Sequence, residues 1–140
     1  MPAGRHALLA IFCMSCAALA AALPVQAQSW QLVLESYALR SGESIELGDV
    51  YWVFDCRSLL KGTPEVEIME GPPGVTATIA AALVVPRFDN CAEPVPGGKL
   101  KLLAGRIADP SHTTMTIRIK LHTEDGDRDL SQSFNIKLYP

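Results

Sequence analysis

The chain is poor in the residues from which most catalytic and metal sites are built. Its 140 residues hold three histidines and four cysteines, and aromatics make up 6%. There is no Gly-x-Ser-x-Gly elbow to present a nucleophile. There is no glycine-rich phosphate cradle either, because Gly71-Pro-Pro-Gly74 has prolines where backbone donors are needed. Basic residues do not cluster: 12 Lys+Arg face 15 Asp+Glu. No stripe of positive charge is present to bind nucleic acid or to dock on anionic lipid. Long hydrophobic runs are absent too, save one at the N-terminus.

That run sets the compartment. Arg5 and His6 precede an apolar stretch from Ala7 to Leu23, and Pro24-Val25-Gln26-Ala27 follows with small residues at −3 and −1 of a secretory cleavage site. Residues 1–27 read as a signal peptide, too short at the apolar centre for a membrane span. A lipoprotein reading would acylate Cys16, but Cys13-Met14-Ser15 lacks the usual leucine three positions upstream. Residues 28–140 then form one small exported domain, periplasmic or extracellular, with 11 Lys+Arg against 15 Asp+Glu. A chain this short buries roughly 65% of its unfolded surface, so its core is thin. Cys56 and Cys91 remain after cleavage, and an isolated pair in an exported protein predicts one disulfide.

Nearly every segment of the mature chain reads as strand. Residues 30–37 place Trp30, Leu32 and Leu34 on one face, with Trp30 either docked or a surface anchor. Ser44–Leu47 aligns Ile45 with Leu47, and Gly48-Asp49 reads as a turn. Val50–Phe54 is apolar on both faces, as in a central strand, which places Trp52 and Phe54 in the core. Prolines at 64, 72, 73, 86, 94, 96 and 110 confine the rest of the chain up to residue 110 to short strands and loops. Glu65–Met69 turns Val66 and Ile68 inward, Val75–Ile79 turns its threonines outward, and Lys99–Leu103 alternates again. Residues 80–83 have helix propensity, cut off by Val84-Val85-Pro86.

The C-terminal segment is the clearest. Met115, Ile117, Ile119 and Leu121 share one face of a strand, and Asp125-Gly126 predicts a two-residue hairpin turn. Folding there pairs Leu121 with Leu130, Ile117 with Phe134, Met115 with Ile136 and His122 with Asp129. The alternation predicts an all-β, single-domain, antiparallel β-sandwich. Asp125-Gly-Asp-Arg128 between two long strands, the Phe134–Tyr139 strand and the two spaced cysteines resemble small exported bacterial immunoglobulin-like domains. The resemblance implies an immunoglobulin-like sandwich. The chain departs from true immunoglobulin domains in three ways, the first being that its cysteines are closer in sequence than an inter-sheet B–F pair. Trp52 precedes both cysteines, and Asp89 stands where a tyrosine-corner residue would be.

The remaining motifs predict little chemistry. His122 reads as an exposed cross-strand partner and His112 as a loop residue, which leaves no base for a hydrolase triad. Glu65, Glu67 and Glu70 alternate with apolar residues as solvent-facing positions, not as paired glycosidase carboxylates. His112 with Met115 is too small a fragment for copper. Asp125, Asp127 and Asp129 match the first half of a calcium loop, but Leu130 and Ile136 occupy later positions where that loop needs other residues. The expectation is therefore a non-enzymatic, exported immunoglobulin-like binding or structural module without cofactor. It would present strand edges and the loops at 71–74 and 92–98 to a protein or glycan of the cell envelope. Two alternatives stand beside it. One is an inhibitor of a secreted or periplasmic enzyme using the Asp89–Gly98 loop. The other is a calcium-stabilised β domain using Asp125, Asp127 and Asp129.

Overall fold

The computed structural model describes residues 34–87 and 90–140, so the leader, Cys13, Cys16, Trp30 and Asp89 lie outside the described residues. Most alternating segments become strands, although of the strand expected over residues 30–37 only Ser36 and Tyr37 lie in one and Leu34 and Glu35 precede it. The described residues are all-β, without a helix long and apolar enough to cross a membrane. The strands are β1 (Ser36–Arg40), β2 (Ser44–Val50), β3 (Val53–Phe54), β4 (Arg57–Ser58), β5 (Glu65–Glu70), β6 (Val75–Val84), β7 (Val95–Ala104), β8 (Ser111–Thr123) and β9 (Gly126–Tyr139). They form a four-stranded sheet in the order β1-β9-β8-β5, a three-stranded sheet β2-β7-β6 and a small β3–β4 hairpin.

The two larger sheets share one hydrophobic core, an arrangement compatible with a β-sandwich. Met115, Ile117 and Leu121 of β8 and Phe134 and Ile136 of β9 are fully buried, opposed by Leu100, Leu102 and Ala104 of β7. The outward residues of β8 are polar, so alternation sorted the two faces correctly.

The hairpin register differs from the sequence expectation by two residues. Met115 opposes Phe134, Ile117 opposes Gln132, Ile119 opposes Leu130, and His122 opposes Asp127. Glu124-Asp125 forms the turn, and Gly126 follows with φ +111°. A turn whose two central residues lack positive φ, followed by glycine in a left-handed conformation, relieves the twist mismatch that Asp125-Gly126 was expected to solve. A slip of two keeps every side chain on its face, so hydrophobic patterning alone cannot detect it.

The larger sheet is mixed, not antiparallel. β1 runs parallel to β9, from Ser36 opposite Asn135 to Arg40 opposite Tyr139. Alternation fixes which residues face inward but carries no information on strand direction. After β1, the turn at Ser41-Gly42 sends the chain to the other sheet as β2.

Gly48-Asp49 does not end β2. A bulge between Glu46 and Gly48 absorbs the irregularity, and pairing with β7 continues to Val50 opposite Gly98. There it stops, because the next positions of β7 are Gly97 and Pro96, and proline has no N–H for a second ladder. Pro96 opposes only Leu83 of β6. Residues 95–98 are thus strand, where a partner-facing loop was expected. A Cβ on Gly97 would lie 2.5 Å from the Val50 carbonyl oxygen, and one on Gly98 would collide with Ile79. Residues 80–83 extend β6 as strand.

Candidate functional site

With β2 ended at Val50, the apolar run expected as a central strand breaks up. Tyr51 and Trp52 leave the sheet, and Val53-Phe54 pairs with Arg57-Ser58 around a two-residue turn. That turn is Asp55-Cys56, with φ of 49° and 55°. Two positive φ values give the hand that suits a tight hairpin, but only glycine, asparagine and aspartate adopt them readily. Cys56 is held there by its disulfide to Cys91, with Cα atoms 5.4 Å apart. Cys91 lies in the β6–β7 connection beside Asn90, which also has positive φ, at 52°.

Further contacts fasten this hairpin to its surroundings. The Leu59 N–H donates to the Trp52 carbonyl at 2.9 Å, and the Ser58 hydroxyl donates to the Pro96 carbonyl at 2.9 Å. The tip of the β8–β9 hairpin closes over it from the other side. The Lys61 N–H donates to His122 O at 2.7 Å, and the Glu124 N–H donates to Leu59 O at 2.9 Å. Arg57 Nη1 meets both Glu124 carboxylate oxygens, at 2.9 and 3.1 Å. The pair raises the Arg57 pKa and lowers that of Glu124. The Arg128 guanidinium sits 5.0 Å from the centre of the Trp52 ring.

What this end presents is Phe54. It is 72% exposed, contrary to the expectation that it fills the core, whereas Trp52 packs half-buried against the core margin. Beside it, Asp49–Val53 and Ile119, Leu130 and Gln132 line an open cleft of about 570 Å³. Leu130, expected opposite Leu121 in the core, is 41% exposed on the rim of this cleft. The signal that could have found Phe54 is local. Asp55 is that signal, since aspartate tolerates the left-handed conformation that the turn requires.

The other candidate residues lie elsewhere. His122 Nδ1 is 2.9 Å from Asp127 and its Nε2 is 3.4 Å from Glu65, in place of the expected Asp129. Asp127 first, then Glu65, raises the His122 pKa. Asp129 faces Lys120 across the hairpin, and Asp125 is in the turn. Among the described residues, no three His, Cys, Asp or Glu side chains converge on one point that could hold a metal ion. His112 is the second residue of β8, opposite Lys137, and not in a loop. Glu67 bonds Arg118 at 2.9 Å and lies 3.4 Å from Lys120, which together lower its pKa. At the opposite end of the strands, the Gly71–Gly74 loop and Arg106–Asp109 border a second open depression of about 650 Å³. No protein family, curated protein or solved structure matches this chain.

Proposed function

We propose that this chain is an exported immunoglobulin-like domain, periplasmic or extracellular, that works without catalysis as a binding or structural module of the cell envelope. The end around Phe54 is its contact surface for a protein or glycan. The observation that carries this reading is a largely exposed phenylalanine on a hairpin fixed by a disulfide to the β6–β7 connection and by hydrogen bonds to β7 and to the β8–β9 tip. Aromatic anchors dominate binding energy where they are held rigid before the partner arrives, because less ordering entropy is lost.

The immunoglobulin-like reading draws support from strand order. β2-β7-β6 corresponds to strands B-E-D of that fold, and β5-β8-β9 to C-F-G, with β1 on the edge of the last strand. The disulfide departs from the usual B–F bridge by joining two connections instead of two sheets. A disulfide also fits an oxidising compartment. Among the alternatives, inhibition of an envelope enzyme would use the same clamped end. The calcium alternative has weaker support, because Asp127 is engaged by His122.

The test is capture from envelope extract by the wild-type protein and by Phe54→Ala. The expected result is a captured partner whose retention falls at least tenfold with Phe54→Ala while the melting temperature stays unchanged. Equal retention by both proteins would overturn the assignment of this surface. A single stoichiometric enzyme, inhibited on binding, would select the inhibitor reading.

A further inference from the structure

We infer that this protein associates with a second copy of itself through antiparallel pairing of the free edges of β6. In the order β2-β7-β6, β6 pairs only with β7, over all ten residues from Val75 opposite Ala104 to Val84 opposite Val95. Its other edge has no strand beside it among the described residues. Such an edge is a template for a further strand, and folded proteins blunt theirs with brevity, charge, bulges or proline.

The other edges here are blunted. β1 has five residues. β2 carries Glu46 and Asp49 and a bulge. β5 carries Glu65, Glu67 and Glu70 and a register shift after Ile68. The part of β9 beyond the reach of β1 carries Asp127, Arg128 and Asp129. β6 has none of these devices. From Val75 to Val85 the sequence has no charge and no proline, and the register with β7 is unbroken.

Charge selects the occupant. A strand that pairs with its own copy risks setting like charges against each other, which is destabilising. A neutral strand escapes this. The nearest charges in sequence are of opposite sign, Glu70 at the end of β5 before it and Arg87 after it. Antiparallel pairing brings Arg87 of each copy toward the Glu70 end of the other, whereas parallel pairing would set Arg87 beside Arg87. Centred on Ile79, the antiparallel pair places Val75 against Leu83 and Ala77 against Ala81 on one face, and Thr78 against Ala80 on the other. Leu83 and Val85, 69% and 45% exposed in the single chain, then lie alongside the second copy. The two three-stranded sheets become one of six strands. This surface is separate from Phe54, and the inference does not rest on the binding role of that end.

A single strand pair gives a small interface, below about 1,200 Å², so the dimer is weak. Sedimentation equilibrium of the protein as recovered from cells, at concentrations up to about 1 mM, reads it directly. The expected result is a monomer–dimer equilibrium. Thr78→Lys with Ala80→Lys, both at exposed positions, should raise its dissociation constant at least tenfold, while Ser133→Lys on β9 leaves it unchanged. Amide exchange of the unaltered protein gives a second reading that needs no variant, with protection of β6 rising with concentration. A monomer at every concentration would overturn the inference. So would a dimer indifferent to the lysines, or β6 protection that appears only with a foreign polypeptide bound.

Discussion

Replacing both Cys56 and Cys91 with serine tests how much of the fold depends on the clamp. The residues are 35 apart in sequence, and closing a loop of that length removes about 4 kcal/mol of unfolded-chain entropy. Against a total stability of about 5–15 kcal/mol for a domain of this size, that is a major share. At about 4 °C per kcal/mol, the double variant should melt about 15 °C below the parent. The structure adds a finer expectation. Cys56 sits at φ 55°, a conformation that costs a residue other than glycine about 1–3 kcal/mol. Without the disulfide to hold it, Cys56→Gly with Cys91→Ser should therefore be the more stable of the two double variants, by about 1 kcal/mol or 4 °C. Thermal unfolding followed by circular dichroism measures both differences. A loss of less than about 5 °C in the serine double variant would refute the loop-closure argument, since that corresponds to only about 1 kcal/mol. Serine outperforming glycine at position 56 would refute the strain argument.

Two further outcomes rest on single contacts. Asp127 first, then Glu65, favour the protonated form of His122, so its folded pKa lies above its ordinary 6.5. Its stabilising contribution is complete below the unfolded pKa and is lost as pH rises through the folded one; the side chain is exposed, so the effect on melting is small. The readout is the NMR titration of the imidazole, which Asp127→Asn should shift downward; an unchanged midpoint would contradict the pairing. Gly98→Ala introduces a methyl against Ile79 in the central strand of its sheet and should cost about 1–3 kcal/mol by overpacking. Chemical denaturation checks this, and a neutral result would mean that β6 and β7 separate more easily than their packing implies.

How much of this could be read from the sequence depends on what alternation encodes. It encodes faces. Met115, Ile117, Ile119 and Leu121 pointed to one side in the sequence and are buried together in the structure. Val66, Ile68 and the threonines of β6 also face as their spacing indicated. Cys56 and Cys91 paired as their number and context implied. Alternation encodes register only modulo two, and it does not encode direction. The β8–β9 hairpin therefore came out two residues away with every face intact, and β1 came out parallel. Nor does it anticipate tertiary events that end a strand. Val50–Phe54 looked like a buried strand because five apolar residues in a row fit one. What terminates it lies 46 residues away, where Pro96 in β7 cannot offer a second hydrogen bond.

The same event accounts for why the candidate site was the least legible part. Phe54 is exposed because β2 must stop where β7 runs into Gly97 and Pro96, and the chain then needs a path to β5. That path is the β3–β4 hairpin, whose turn requires two left-handed residues, one of them Cys56. The bridge to Cys91 ties this hairpin to the β6–β7 connection, and the β8–β9 tip adds Glu124 and Arg128 from the other side. Three connections that are distant in sequence meet at one end because successive strands reverse direction. At the opposite end the connections are joined by hydrogen bonds, Ser41 Oγ with Ile107 and the Gly105 N–H with the Gly74 carbonyl, with no disulfide there among the described residues. A fixed end that carries one exposed phenylalanine among charged neighbours is where the proposed partner would gain most from contact. The cost of ordering Phe54 is met within the fold before any partner arrives.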